Sequence, residues 1–303
     1  ARFYSSAICN RTVKGKPVIT LADMLEALQQ PRPQGATTAI RKAVIDSREA
    51  EADSLFVAIP GENVDGHDFV PDAFARGAAV ALIEHDIDGS YPTLNLREGN
   101  ENLDEIKADA PICLLVPNTV AALQEIARFW RNQLDLRVIG ITGSVGKSTT
   151  KELASQVLRR RYKTHKNLGN LNNEIGLPLT ILGLRSEHKR AILEMGFYVP
   201  GEIDFLCQIA KPQVGVITNI GTVHAERAGS QEAIARGKAE LVQALPPAPE
   251  GVAILNDDDI WVREMASMTE ARVFFYGLSP EADLWADEIE GLGLDGIRFR
   301  LHY

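Results

Sequence analysis

The chain has 303 residues, 45% of them hydrophobic and 24% charged, with a formal net charge of −9 at pH 7. That is room for two ordinary domains with cores of their own, in an ordinary globular composition. The acidic balance excludes an extended nucleic-acid surface, which needs clustered Lys and Arg, and no apolar stretch approaches the roughly 18 residues of a membrane span.

In chain order, the opening ARFYSSAICNRTVKGK lacks the hydrophobic h-region of a secretory signal, and residues 1–16 read as a tail. LADMLEALQQ (21–30) places Leu21, Met24, Leu25 and Leu28 on one helical face. KAVIDS and SLFVAIPG are β-rich runs closed by turn residues, and DFVPDAFARGAAVALIEHD reads as a helix followed by a strand. Residues 84–110 are polar and acidic and lead to ICLLVP, another short strand. PNTVAALQEIARFWRNQL predicts a helix with Pro117 near its start and Val120, Leu123, Ala127 and Trp130 on one face, a bridge between two domains. The first domain is expected over 1–112 and the second over 113–303.

From residue 136 the strands become apolar throughout: RVIGIT, RAILEMG, VGVITNIG and GVAILND. Such runs separated by helices suit a parallel sheet buried on both faces, so the second domain is expected to be a doubly wound α/β unit. The fold class is therefore α/β, a small α/β first domain followed by a mostly parallel-sheet phosphate-loop domain. Cys9, Cys113 and Cys207 lie far apart with no C-x-x-C spacing, which predicts neither a disulfide framework nor a zinc site and fits a reducing cytoplasm. The basic run Arg159-Arg160-Arg161 closes a predicted helix, where positive charge suits the dipole.

The segment VIGITGSVGKSTTKE (138–152) carries the strongest chemical signal. An apolar strand feeds Thr142, Gly143, Ser144, Val145, Gly146, Lys147, Ser148 and Thr149, and a helix follows, with Leu153, Val157 and Leu158 expected inward. Glycines let backbone N–H groups face an anion, and the helix N-terminus adds about half a positive charge. Lys147 is placed to reach the β/γ-phosphates and the Ser148 hydroxyl to meet Mg²⁺. Gly140 is one position too early for the strict phosphate loop, so the match is to a T-G-S-x-G-K-S variant; the bland alternative is a glycine-rich turn without ligand.

Two further strand ends carry polar residues, Glu194 in AILE, and Asn219 and His224 in VITNIGTVH. The carboxyl edge of a parallel sheet is where ligands bind. A carboxylate on Mg²⁺ is ordinary, whereas His224 reads equally as a hydrogen-bonded loop residue, because Mg²⁺ prefers oxygen. In QEAIARGKAELVQAL, Lys238 falls on the apolar face of Ile234, Leu241, Val242 and Leu245. A buried lysine has a lowered pKa, and its neutral amine can add carbon dioxide to become a carbamate. Snorkelling to the helix edge, or pairing with Glu194, are the alternatives.

With these residues in hand, the chain resembles the Mur ligases, ATP-dependent peptide ligases of bacterial cell-wall precursors, through TGSVGKST, Glu194, TNIGTVH and GKAEL in that order. The resemblance implies ATP and two Mg²⁺ ions, the first held by Ser148 and Glu194, the second by Glu194, His224 and carbamylated Lys238. NLGNLNNEIGLPLTIL (167–182) is similar to the members that add D-Ala-D-Ala to UDP-MurNAc-tripeptide, with Asn170, Asn172 and Asn173 as substrate residues. Read alone, the same asparagines suit a turn-rich loop. Asp46, Ser47 and Arg48 would by resemblance line the uridine-nucleotide pocket, with Gly66-His67 at the following turn, although Asp46 and Ser47 could equally cap a turn. Asn219 and Asn256 are implied on the ATP side, Asn256 near the adenine.

The implied protein is a cytoplasmic monomer with no nucleic-acid partner and no membrane span. The family runs on into a third, Rossmann-like domain, which the sequence ending GIRFRLHY does not include. A third-residue-adding or folate-polyglutamylating relative, and a nucleotide-binding fragment without turnover, are the competing expectations.

Overall fold

The computed structural model describes residues 18–33, 35–87, 91–97, 111–221 and 230–303. The expected 1–16 tail, Cys9 and His224 lie outside the described residues. Two parallel sheets and the helix between them organise the rest.

A short antiparallel pair, β1 (Ile19–Thr20) with β2 (Ala39–Ile40), brackets helix α1 (Leu21–Ala27). Thr20 caps α1 reciprocally: its side chain accepts from the Asp23 N–H, and Asp23 accepts from the Thr20 N–H. Leu21, Met24 and Leu25 are buried beneath it, as their spacing predicts. The first large sheet has the order β3 (Lys42–Val44), β4 (Ser54–Val57), β5 (Ala78–Ile83), β7 (Ile112–Leu115), β6 (Thr93–Asn95), all parallel, with α2 (Val70–Ala75) preceding β5. Because Ile112–Leu115 belongs to this sheet, the boundary expected between residues 112 and 113 falls inside a strand.

Helix α3 (Thr119–Asn132) opens at Asn118, whose side chain accepts from the Ala121 N–H. Its buried stripe of Leu123, Ile126, Ala127 and Trp130 lies in one core with residues of both sheets. Burying the leucine and isoleucine contributes about 1.5–3 kcal/mol each. Trp130 donates to the Leu184 carbonyl at 3.0 Å and Arg131 to the Ala210 carbonyl at 2.8 Å, so the helix is fastened to the second unit as the expected bridge.

The second sheet has the order β9 (Thr164–Lys166), β10 (Arg190–Glu194), β8 (Arg137–Thr142), β11 (Val214–Ile217), β12 (Val252–Asn256), β13 (Arg272–Gly277), β14 (Leu284–Gly291), β15 (Ile297–His302). All pairings are parallel except the last, β14 with β15. Helices α4 (Lys147–Arg159), α5 (Gly176–Leu182), α6 (Glu202–Ala210), α7 (Gln231–Gln243) and α8 (Ile260–Glu264) join the strands. This is the expected α/β class. β8 comes first in this unit yet sits between β10 and β11, so the chain reverses direction across the sheet at the end of β8. That switch point is where an open parallel sheet leaves a crevice.

The expectation about α4 is overturned at two of its three positions. Leu153 and Val157 are 59% and 70% exposed, whereas Leu158 is partly buried against the core of Ile141, Ile192 and Val216, as expected, and the fully buried positions are Lys151 and Ser155. The helix begins after the four-residue loop 143–146 that follows β8, with Lys147 turned back on that loop. Its phase brings Lys151, one turn on, over the sheet edge at Glu194.

Candidate active site

The carboxyl ends of β8, β10, β11 and β12 bring most of the expected residues together. At the end of β8, the Thr142 hydroxyl donates to the Met195 carbonyl at 3.0 Å, so its polar group joins strands and does not face outward. Gly143 has φ of 145°, and a Cβ there would lie 1.9 Å from Thr218 Oγ1; only glycine allows β8 and β11 to release the loop this closely. The loop is locked from the other side by Asn219. Its amide oxygen accepts from the Val145 N–H at 3.0 Å, its amide nitrogen donates to the Val145 carbonyl at 3.0 Å, and its own carbonyl accepts from the Ser144 N–H at 2.9 Å. The Ser144 hydroxyl accepts from the Gly221 N–H. Gly146 then turns the chain into α4, whose first turn carries Lys147, Ser148 and an exposed Thr149.

Two ammonium groups meet at one carbonyl. Lys147 Nζ donates to Gly143 O at 2.8 Å and to Ser144 O at 3.2 Å, and Lys238 Nζ donates to the same Gly143 O at 3.1 Å. Burial pushes the Lys147 amine down, with Glu194 opposing. Burial, and then the Lys147 charge, push Lys238 down to about 7. Lys238 is only 2% exposed on α7, which overturns the snorkelling alternative. Its Nζ lies 4.9 Å from the Phe197 ring centroid, and that ring is admitted by Gly237, where a Cβ would come within 2.0 Å of it. The pairing of Lys238 with Glu194 is replaced by a different one: among the described residues, the lysine paired with Glu194 is Lys151, at 3.4 Å.

Glu194, 3% exposed at the end of β10, is the most heavily bonded group of the site. Its Oε2 accepts from the Ser148 hydroxyl at 2.8 Å, and its Oε1 from Asn172 Nδ2 at 2.9 Å. Its backbone is bracketed by Asn167, which accepts from the Glu194 N–H at 3.0 Å and donates to the Glu194 carbonyl at 3.1 Å. Asn167 and Lys151 are site residues that the sequence reading missed. The available signals were Lys151 standing four residues after Lys147, on the same helical face, and Asn167 following β9 at the carboxyl edge. Of the predicted asparagines, Asn172 reaches Glu194. Asn173 instead accepts from the Gly176 N–H at 2.9 Å, at the first residue of α5, and Asn170 is exposed. Asn256 donates to the Thr218 carbonyl at 2.9 Å, holding β12 against the end of β11.

The Ser148 hydroxyl and the Glu194 carboxylate are adjacent hard oxygen donors facing an anion-binding helix start, a set that fits Mg²⁺. Lys238 as an amine is no ligand for Mg²⁺; as a carbamate it would offer oxygen. Its burial and lowered pKa fit that modification.

The first sheet places its polar residues differently. Asp46 accepts from the Arg48 N–H and pairs with the Arg48 guanidinium at 2.6 Å, which holds its carboxyl down to about 2. Ser47 is buried beneath that turn, so the capping alternative describes the local geometry of Asp46. Asp65, His67 and His85 offer potential ligand atoms within 4.8 Å of one another. His67 Nε2 accepts from the Glu84 N–H, which puts the ring proton on Nδ1, facing Asp65 at 2.5 Å. His85 faces the Asp86 carbonyl and Asp65 through its two ring nitrogens. Each of the three groups is thus already bonded within the cluster or to backbone, and the group is self-paired.

Residues 141–302 match the Mur ligase middle domain, and residues 40–131 match the Mur ligase family catalytic domain. The chain is 39% identical over 263 residues to the UDP-N-acetylmuramoyl-tripeptide–D-alanyl-D-alanine ligase of Synechocystis sp., covering 86% of this chain and 54% of that one. It is 40% identical over 249 residues to the Bacillus subtilis protein of the same name, covering 82% and 49%. The crystal structure of MurF from Acinetobacter baumannii superposes with a TM-score of 0.73 at 32% identity, covering 94% of this chain and 61% of that one. MurF from Thermotoga maritima in complex with ADP gives 0.67 at 30%, covering 86% and 58%. The chain spans about half the length of the curated relatives it matches. Its switch-point crevice carries a phosphate-loop lysine, a strand-end carboxylate and a buried helix lysine, the middle-domain match spans more than half of the chain, and the chain belongs to the Mur ligase family.

Proposed function

We propose that this chain is the substrate- and nucleotide-binding part of a cytoplasmic ligase that uses ATP to join D-Ala-D-Ala to UDP-MurNAc-tripeptide. The observation that carries the reading is the meeting of two depressed-pKa lysines, Lys147 and Lys238, at Gly143 O, beside the exposed Ser148 hydroxyl bonded to the buried Glu194. The Lys147 charge at a helix start suits an anion of high charge, and the depressed amine of Lys238 suits conversion to a carbamate. The choice of substrate is supported by the segment 167–182 and by the names of the relatives. No helix of the described residues is long and apolar enough to cross a membrane.

In this reading the γ-phosphoryl group passes from ATP to the terminal carboxylate of the tripeptide, giving ADP and an acyl phosphate. The D-Ala-D-Ala amine then attacks the acyl carbon and phosphate leaves. Such transfer depends on positioning and charge neutralisation. Lys147 balances charge on the phosphates, and Asn219 keeps the loop in register. Ser148 and Glu194 would hold one Mg²⁺; Glu194, carbamylated Lys238 and His224 would hold a second. When bound, the ions supply further charge neutralisation at the transferring group. Asp46, Ser47 and Arg48 would meet the uridine nucleotide at the edge of the first sheet, Asn170 and Asn172 the peptide side, and Asn256 the adenine side.

The half-length span favours a second reading, in which this chain binds both nucleotides and turns over only with further residues. The test is phosphate release with ATP, Mg²⁺, bicarbonate, UDP-MurNAc-tripeptide and D-Ala-D-Ala, on this chain and on Lys238→Ala, with ¹³C-bicarbonate to detect a carbamate carbon. Turnover needing both substrates, together with a carbamate signal lost in Lys238→Ala, supports the ligase. Binding of ATP and UDP-substrate without turnover supports the second reading. Binding of neither nucleotide overturns both.

A further inference from the structure

Lys151 has no part in the scheme above, yet its side chain is as buried as that of Lys238, at 2% exposure. A lysine taken out of water must be paired, and its partners are informative. Its Nζ donates to the Gly169 carbonyl at 3.2 Å and lies 3.4 Å from Glu194 Oε2. Glu152 is 4.0 Å away, but that carboxylate is half-exposed and hydrogen-bonded by Lys166. Glu194 is thus the buried anion that Lys151 faces. Gly169 belongs to the turn that also carries Asn167, bonded to both backbone groups of Glu194, and Asn172, bonded to Glu194 Oε1.

We propose that Lys151 is a positioning residue that acts through Glu194: it supplies the carboxylate's fixed counter-charge and fastens the 167–173 turn to the phosphate-loop helix. The proposal rests on the ligase reading for the role of Glu194 as a Mg²⁺ ligand. Two consequences follow from the geometry. The turn expected on the peptide side and the carboxylate expected on the phosphate side are held as one unit by three contacts: Asn167, Lys151 and Asn172. In addition, Glu194 presents less net negative charge to a divalent ion than a lone carboxylate would, so that ion is held weakly until phosphate oxygens add to the set.

The test uses Lys151→Gln, which keeps a hydrogen-bond donor but removes the charge, and Lys151→Arg, which keeps the charge. Mn²⁺, which shares the oxygen preference of Mg²⁺, is titrated by electron paramagnetic resonance into each protein, without nucleotide and then with ADP. Lys151→Gln is expected to bind Mn²⁺ on the order of tenfold more tightly than the parent without nucleotide, because a unit positive charge beside the ligand is gone. Lys151→Arg is expected to stay within about threefold of the parent. Equal Mn²⁺ affinity in all three proteins, or weaker binding in Lys151→Gln, overturns the counter-charge role. If the parent binds neither ADP nor Mn²⁺, the ligase reading itself fails. If Lys151→Gln does not fold, Lys151→Arg decides: folded with the parent's affinity it supports the proposal, and folded with a clearly altered affinity it overturns it.

Discussion

The two parallel sheets of this protein both gather polar residues at the carboxyl ends of their strands, but they satisfy them in opposite ways. On the first sheet the groups complete one another near water: Arg48, with a side chain 80% exposed, closes on Asp46, and Asp65 lies between two imidazoles. On the second sheet the charges are buried and held in tension: Glu194, Lys151 and Lys238 are each no more than 3% exposed, and two lysines compete for one carbonyl. Burial without full pairing depresses pKa values and favours the arrival of an anion, and such perturbation marks functional sites. The comparison points to the second edge as the candidate place of chemistry, and leaves the first as a set of self-paired groups.

The comparison is tested most severely by removing one negative charge from each edge. Glu194→Gln strips the counter-charge from a buried lysine, which is expected to cost about 3–5 kcal/mol of folding stability. In a preparation competent for turnover, it should also lower the rate by roughly two to three orders of magnitude. Asp46→Asn opens an exposed pair and should leave the denaturation midpoint where it was. Urea titrations of the two variants against the parent decide the matter. Equal losses at both edges would erase the distinction.

A pH series sharpens it further, in buffer free of carbon dioxide. Burial holds the folded Lys238 ammonium down to about 7, against 10.5 unperturbed. Between those values the unfolded chain binds the extra proton. The Lys238 contribution to folding stability therefore grows as pH rises from about 7 towards 10.5, by at most about 1.4 kcal/mol per unit. Lys238→Met should be more stable than the parent near neutrality, and that advantage should shrink towards pH 10. His85 runs the other way. Its pKa is raised by the Asp86 carbonyl and the Asp65 carboxylate. Its contribution is complete below 6.5 and disappears as pH climbs through the folded value, and exposure keeps it small. A pH-independent gap between parent and Lys238→Met would sink this account of the second edge.

Much of this arrangement was legible in the sequence because it follows from periodicity and position. β8, β10, β11 and β12 are unbroken apolar runs, as burial on both faces demands, and the residues closing them had to emerge at one edge. The apolar stripe of α7 put Lys238 on the inner face, leaving open whether its amine snorkelled out; its 2% exposure decides that it does not. What the sequence concealed depends on exact placement across the fold. The roles of Lys151 and Asn167 rest on β9 and β10 lying side by side and on the turn at Gly169 folding back over Glu194, which no local pattern encodes. Asn173 resembled a ligand residue but spends its oxygen on the start of α5. Leu153 and Val157 of α4 were misleading because apolar residues normally mark the inner face, whereas here Lys151 and Ser155 share that face with Ala154 and Leu158.

The rotation of that helix yields the smallest effect and the cleanest check on the packing. Ser155 is 1% exposed on the inner face of α4, one turn beyond Lys151, and its hydroxyl has no hydrogen-bond partner among the described residues. A buried polar group without a partner has lost its water and gained nothing in return. Ser155→Ala removes that oxygen and substitutes a better helix former, so it should raise stability by up to about 1 kcal/mol. Leu153→Gln, on the outer face at 59% exposure, should change stability by no more than about 0.5 kcal/mol. An ordinary amphipathic helix would give the reverse: the serine exposed and indifferent, the leucine buried and costly to replace by several kcal/mol. Denaturation midpoints for the two variants therefore read the rotation of α4 directly. If Leu153→Gln is the damaging change, the helix is turned the other way, and the approach of Lys151 to Glu194 fails with it.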